Sequence, residues 1–230
     1  MENCVRKFEN EKYCLEIIAD DRPESPREWD NLGTMVCCHS GYNLGDNYDF
    51  YDEYDLIHFI AQDLDVDITT EVYNEEYDEY FDEDRETNDI LKDIQDKALI
   101  LPLYLYDHSG ISMRTYPHGY HRAWDCSQVG YIYVSKEDIV KEYGCCDEDT
   151  MKKAELVLEG EIEVYSQYLE GEVYGYSLSK KDKCECCNHI EYNEIDSCWG
   201  FYGYNLEENG MLENIDLSKD ELSELLKCEI

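Results

Sequence analysis

The sequence predicts an α+β fold: a single domain over residues 1–230, mostly antiparallel sheet with a few packed helices and an acidic insertion at 46–94. Three observations predict it. Short runs of alternating apolar residues recur between turn-rich stretches, which is the period of half-buried strands. Other segments carry apolar residues at spacings of three and four, the period of an amphipathic helix. The composition also allows a core, since 43% of the 230 residues are apolar and 13% aromatic, with 22 tyrosines and only four prolines. Disorder needs low hydrophobicity and few aromatics, so this chain is expected to fold.

Taken in order, YCLEIIA at 13–19 reads as a strand, and 20–26 as a turn-rich connection. TMVCC at 34–38 is a second short strand, after which GYNLGD at 41–46 breaks the pattern. In the acidic segment, Leu56, Ile57, Ile60 and Leu64 fit a short amphipathic helix. Val66, Ile68 and Val72 alternate as in a strand, and Ile90, Leu91 and Ile94 mark another helical turn or two. Between them YNEEYDEYFDED, at 73–84, has no clean period and reads as an ordered loop or an acidic helix.

The most apolar run, ALILPLYLY at 98–106, has the length and composition of a buried strand, with Pro102 near an edge or bulge. A turn at 107–110, a short run at 111–116 and a His-rich loop lead to the strand VGYIYV at 129–134. Ser135 then caps a helix running to Tyr143, with Asp138 three residues on as in a capping box. A longer helix over 149–169 carries Met151, Ala154, Leu158, Ile162, Tyr165 and Leu169 on one stripe, weakened by Gly160. EVYGYSL at 172–178 and CWGFYGY at 198–204 read as paired strands flanking a Cys-rich loop. Ser218 and Glu221 form a capping box for a final helix to Lys227.

Charge bounds the partners. The chain has 56 Asp and Glu against 19 Lys and Arg, a formal charge of -37. Direct binding to nucleic acid or anionic lipid needs a basic face, so both are excluded. The segment 46–94 carries 19 acidic residues and only Arg85 and Lys92 as cations. The first ten residues lack the apolar core of a signal peptide, and no run approaches the roughly 18 apolar residues of a membrane span. A cytoplasmic protein is expected, with its twelve cysteines as reduced thiols.

Several side-chain groups carry residue types with potential chemistry. His118, His121 and Cys126 lie close in sequence, and Cys184, Cys186, Cys187 and His189 make a C-x-C-C-x-H run. The run lacks the C-x2-4-C knuckle of structural zinc sites, and the neighbouring Cys186 and Cys187 are expected to point apart, so no metal is assigned. Asp63, Asp65 and Asp67 imitate half a calcium loop that fails at Ile68 and Asn74. Asp107, His108 and Ser109 hold the residue types of a hydrolytic triad, but neighbours on an extended chain face opposite sides. Trp124, Asp125 and Cys126 place a thiol beside an acid, with His118 or His121 as a base. With no Walker A loop and no G-x-G-x-x-G, no cofactor is expected.

The pattern with positive content is the rows of carboxylates. Duplex DNA carries one charge per about 1.7 Å, so the excess charge matches roughly 60 Å of duplex as an upper limit. On a strand, alternate residues share a face about 6.6 Å apart. On the long helix Glu155, Glu159 and Glu163 sit about 6 Å apart on one stripe, although like charges at that spacing cost a few tenths of a kcal/mol. Asp78, Glu79, Asp82, Glu83 and Asp84 join them as candidate phosphate mimics. Interleaved Tyr48, Tyr51, Tyr54, Tyr73, Tyr77 and Tyr80 supply anchoring area for an interface.

Certain stretches are distinctive as wording: ESPREWDNLGTMVC at 24–37, YNLGD at 42–46, LPLYLYDHSGISM at 101–113, WDCSQVGYIYVSKEDIVKEYG at 124–144, YLEGEVYGY at 168–176 and DSCWGFYG at 196–203. Together they resemble a group of acidic proteins carried by bacteriophages and integrative mobile elements. The resemblance implies that context, within a bacterial host cell, and carries over no activity or catalytic residue. The loop at 115–122 and the C-x-C-C-x-H loop depart from the group's pattern, which argues against catalysis by their Cys and His.

The leading expectation is a non-enzymatic inhibitor that blocks the basic nucleic-acid channel of a host defence protein, a CRISPR effector or restriction enzyme, by DNA mimicry. A homodimer is compatible with it. The alternative is an enzyme or binder acting on a small nucleotide-type signalling molecule in a pocket near Asp107, His108, Trp124, Asp125 and Trp199. A third reading is an acidic module that binds a basic protein without imitating DNA.

Overall fold

The computed structural model describes residues 3–74, 77, 79–108, 110–117 and 125–230. Along the chain come β1 (Cys4–Glu9), β2 (Tyr13–Ala19), β3 (Thr34–Cys37), α1 (Glu53–Asp63), β4 (Thr69–Asn74), β5 (Glu79–Asp84), α2 (Thr87–Lys97) and β6 (Ala98–Asp107). Then follow β7 (Ile111–Arg114), β8 (Cys126–Ser135), α3 (Lys136–Tyr143), α4 (Glu148–Glu170), β9 (Val173–Lys183), β10 (Ile190–Tyr202), α5 (Met211–Asn214) and α6 (Lys219–Leu225). The fold is α+β, and every pairing among these strands is antiparallel. Among the described residues no helix is long and apolar enough to cross a membrane. The chain divides into two compact units, Met1–Pro26 with Gln167–Ile230, and Arg27–Ser166.

The first unit is a four-stranded sheet in the order β1-β2-β9-β10. Alternation sets its buried face: Leu15 and Ile17 of β2 pair with Leu178 and Tyr176 of β9, and all four are buried. Phe8, Phe201, Met211 and Leu225 complete this core, and each such side chain contributes roughly 1.5–3 kcal/mol on burial. The expected capping box is present at α6, where the Ser218 hydroxyl accepts from the Glu221 N–H and the Glu221 carboxylate accepts from the Ser218 N–H.

The second unit holds a sheet in the order β3-β8-β6-β7. Gly130 of β8 is required by close approach, since a Cβ there would lie 2.0 Å from the Val36 carbonyl oxygen. Pro102 pairs with Tyr131 of β8 on a stretch of β6 that β7 does not reach, beside a register shift at Leu103/Tyr104. Missing its N–H, it therefore costs no rung of the ladder on that open side. Leu56, Ile57 and Ile60 of α1 and Ile90 and Ile94 of α2 pack into one cluster with Val36, Ala98 and Tyr133. On α4 the stripe of Ala154, Leu158, Ile162 and Tyr165 is buried, while Met151 and Leu169 are only half-buried.

Three expectations need correction. Residues 73–84 are neither loop nor acidic helix: Tyr73 and Asn74 end β4, Glu79–Asp84 is β5, and the two strands pair from Thr69↔Asp84 to Asn74↔Glu79. Val66 and Ile68 precede that strand instead of alternating along it; Val66 is buried against α1 and α2. At α3 the Ser135 hydroxyl accepts from the Asp138 N–H as expected, but the Asp138 carboxylate returns to the Ser135 hydroxyl, not to its N–H.

Candidate functional site

The acidic segment lies between β3 and β6 and contributes α1, the β4–β5 ribbon and α2. The ribbon is a two-stranded sheet of its own. Because side chains alternate, Glu71, Asp82 and Asp84 share one face with Tyr73 and Tyr80, while Glu83 shares the other with Val72 and Phe81. The ring centroids of Tyr73 and Tyr80 stand 5.1 Å apart. Glu71 sits directly opposite Asp82, an arrangement that is unfavourable for like charges. Glu71, Asp82, Glu83 and Asp84 are exposed and, among the described residues, none makes an ion pair.

Local cations are consumed elsewhere. Arg85 bonds Asp93 at 2.6 Å and Lys92 bonds Asp89 at 2.7 Å, which holds the Asp89 carboxyl below its usual range. The ribbon is tied to α1 through Tyr54, whose hydroxyl is pushed up by partial burial and by the Asp84 carboxylate it bonds. Spacing along β5 places Asp82 and Asp84 about 6.6 Å apart, close to two phosphate steps of a DNA strand. Asp78 lies outside the described residues, and Glu79 opens β5 opposite Asn74.

On α4, Glu155 is half-buried and Glu159 and Glu163 are exposed, and none has an ion-pair partner among the described residues. Their neighbour Glu161 has a different role. The Arg27 guanidinium, only 4% exposed, donates to Asp46 at 2.7 Å, to Glu161 at 2.9 Å and to the Gly33 carbonyl at 2.6 Å. Asp46 also accepts from the Met35 N–H, and Glu161 from the Leu32 N–H. Burial pulls the guanidinium pKa down, but the two carboxylates more than offset this and raise it. Sequence reasoning missed this knot, whose Arg27 and Gly33 lie in the distinctive 24–37 stretch and Asp46 in that at 42–46; the three hold the β3 region in place.

Of the residues of the enzyme reading, Asp107, His108 and Asp125 are described within the second unit. Asp107, at the end of β6, accepts from the Tyr42 hydroxyl at 3.0 Å, while His108 Nδ1 faces Asp125 at 3.4 Å with both side chains open to solvent. Trp199 belongs to the other unit, where its ring lies over Gly175. His118, Ser109, His121 and Trp124 lie outside the described residues. Asp63 and Asp65 mark the exit of α1, where Asp63 accepts from Tyr133 and Asp65 takes a left-handed φ of 54°.

The thiols depart from expectation. Cys184, Cys186 and Cys187 bring their sulfurs within 4.8 Å of one another, and Cys184 Sγ lies 2.9 Å from Cys186 Sγ. The argument that adjacent cysteines diverge applies to extended chain, whereas these residues occupy a turn between β9 and β10. Donation from Cys186 and Cys187 draws the Cys184 thiol down to about 6, and the shared hydrogen bond pushes Cys186 up. Cys37 is the opposite case: burial, then the charge of Asp46, pushes its thiol up to about 12.

Comparison of the chain with protein-family models, with curated proteins and with solved structures found no match.

Proposed function

We propose that this protein is a non-enzymatic inhibitor encoded by a phage or mobile element, which occupies the basic nucleic-acid channel of a bacterial defence protein, a CRISPR effector or restriction enzyme, by imitating DNA. The observation that carries the reading is the β4–β5 ribbon. It sets Glu71, Asp82, Glu83 and Asp84 in exposed rows that, among the described residues, make no ion pair, in an arrangement that works against the ribbon's own stability. Asp78 and Glu79 adjoin these rows in sequence, and Glu155, Glu159 and Glu163 add a second row on α4.

Mechanistically, carboxylates take the place of phosphates on the target's lysines and arginines. Encounter is steered by charge, so association is fast and weakens as salt rises. Exposed Tyr73, Tyr77, Tyr80 and Phe81 provide apolar area that a phosphate backbone lacks, and with it residence time.

The test is competition. Purified defence nucleases are loaded with labelled duplex and titrated with wild-type protein and with an Asp82→Lys/Glu83→Lys/Asp84→Lys variant. Displacement of duplex that fades with added salt, and that drops roughly tenfold or more in the variant, is the expected result. Binding that leaves the duplex in place would sink mimicry in favour of a plain acidic binding module.

A further inference from the structure

We propose that the tip of the β9–β10 hairpin is a metal site, in which Cys184, Cys186 and Cys187 act together as three thiolate ligands for one thiophilic closed-shell ion of the Zn(II) or Cu(I) kind. The proposal is independent of the acidic ribbon, which lies in the other unit.

The geometry fits the ligand set. A metal–sulfur bond of about 2.3 Å requires sulfur–sulfur edges of about 3.8 Å in a tetrahedral site and about 4.0 Å in a trigonal one. The three sulfurs lie within 4.8 Å of one another, with one pair at 2.9 Å, so χ1 rotations of the exposed Cys186 and Cys187 about the half-buried Cys184 bring all three edges to length. The backbone already holds the turn that converges them. Lys183 and Ile190 form the last pair of the ladder, the Cys184 N–H donates to the His189 carbonyl at 2.8 Å, and the Asn188 N–H donates to the Cys184 carbonyl at 2.9 Å. Asn188 takes a left-handed φ of 58°, a conformation that asparagine adopts more readily than most residues.

Ligand chemistry and access favour the same reading. Three thiolates around a Zn(II) ion leave a net negative site; Lys180 and Lys183 stand just before it, opposed by Asp182 and Glu185, while Lys181 is held by Glu9 at 2.6 Å. Soft thiolates select Zn(II) and Cu(I) over oxygen-seeking ions. Cys186 and Cys187 are exposed, so an ion enters without unfolding the hairpin. His189 is not among the three converging groups. A Zn(II) ion therefore takes its fourth ligand from solvent, whereas Cu(I) is satisfied by three.

The experiment uses the full chain, reduced, metal-free and without a histidine tag. Zn(II) is titrated in competition with a chromophoric chelator, and Cu(I) is titrated under anaerobic conditions in a parallel arm. One equivalent of either ion bound by wild-type protein is expected, weakened roughly tenfold or more by Cys184→Ser or Cys187→Ser and abolished in the triple Cys→Ser variant. Cys145→Ser/Cys146→Ser, the same substitution at an adjacent pair outside the cluster, should leave binding unchanged. Thermal melting without metal checks that the exposed loop substitutions preserve the fold. Failure to retain either ion, or equal retention by the triple variant, overturns the site.

Discussion

Arg27 Nη1 donates to Glu161 at 2.9 Å across 134 positions of sequence, and the same guanidinium grips Asp46. The contact fastens the entry to β3 onto the middle of α4 within one unit. Removing a single partner of a buried ion pair leaves its mate desolvated and uncompensated. Arg27→Met should therefore lower stability by about 3–5 kcal/mol, read as a fall in the urea midpoint at constant slope. Glu161→Gln keeps an oxygen for the Leu32 N–H and should cost less. A variant ordering with Glu161→Gln the more damaging of the two would contradict the charge argument.

Gly160 lies in the interior of α4, and a Cβ built there meets nothing within 4 Å. The residue thus brings the backbone entropy cost of glycine with no packing reason for its presence. Gly160→Ala should stabilise the protein by about 1 kcal/mol. The melting temperature measures it, and a decrease would mean that the helix uses flexibility at this point.

Legibility in the sequence followed burial on one face. The strand at Tyr13–Ala19 is legible to the residue because Leu15 and Ile17 alternate with the half-buried Glu16 and Ile18, and α4 because its apolar residues repeat at three and four. The capping box at Ser218 was legible because it is local chemistry. The ribbon at 69–84 was not: both of its faces are largely exposed, so no alternation marks it, and its pairing is settled by partners across a turn. Of the candidate site, the carboxylates were named but their faces were not, since Glu83 turns away from Asp82 and Asp84. The thiol cluster was misread for a related reason. Its convergence depends on hydrogen bonds from Cys184 and Asn188 that close the turn, which spacing alone does not encode.

Glu71 facing Asp82 separates stability from function. Like charges directly opposite on a sheet are destabilising, and opposite-charge pairs contribute about 0.2–1 kcal/mol. Asp82→Lys should raise the stability of the ribbon by a few tenths to about 1 kcal/mol, seen as slower hydrogen exchange at the β4–β5 amides. The same substitution should weaken displacement of duplex from a defence nuclease. Opposite signs in the two measurements are the signature of carboxylates kept for a partner; a loss in both would mean that Asp82 serves the fold.

Cys37 gives a pH dependence with a definite sign. Its thiol is pushed up to about 12 in the folded chain, mainly by burial, from an ordinary value of 9.0. Below pH 9 both states hold the proton and the group favours neither. Between 9 and 12 the unfolded chain has released it while the folded chain retains it, so stability falls as pH rises, by about 1.4 kcal/mol per pH unit from this group. Tyr133 and Tyr176, whose hydroxyls are also pushed up by burial and by bonds to Asp63 and Asp196, add to the same decline at higher pH. Urea unfolding of wild-type and Cys37→Ala protein from pH 8 to 10.5 isolates the thiol: the variant starts lower because it loses a buried sulfur, but its stability should fall less steeply. Parallel slopes would show that Cys37 ionises as readily in the fold as outside it, contrary to its burial beside Asp46.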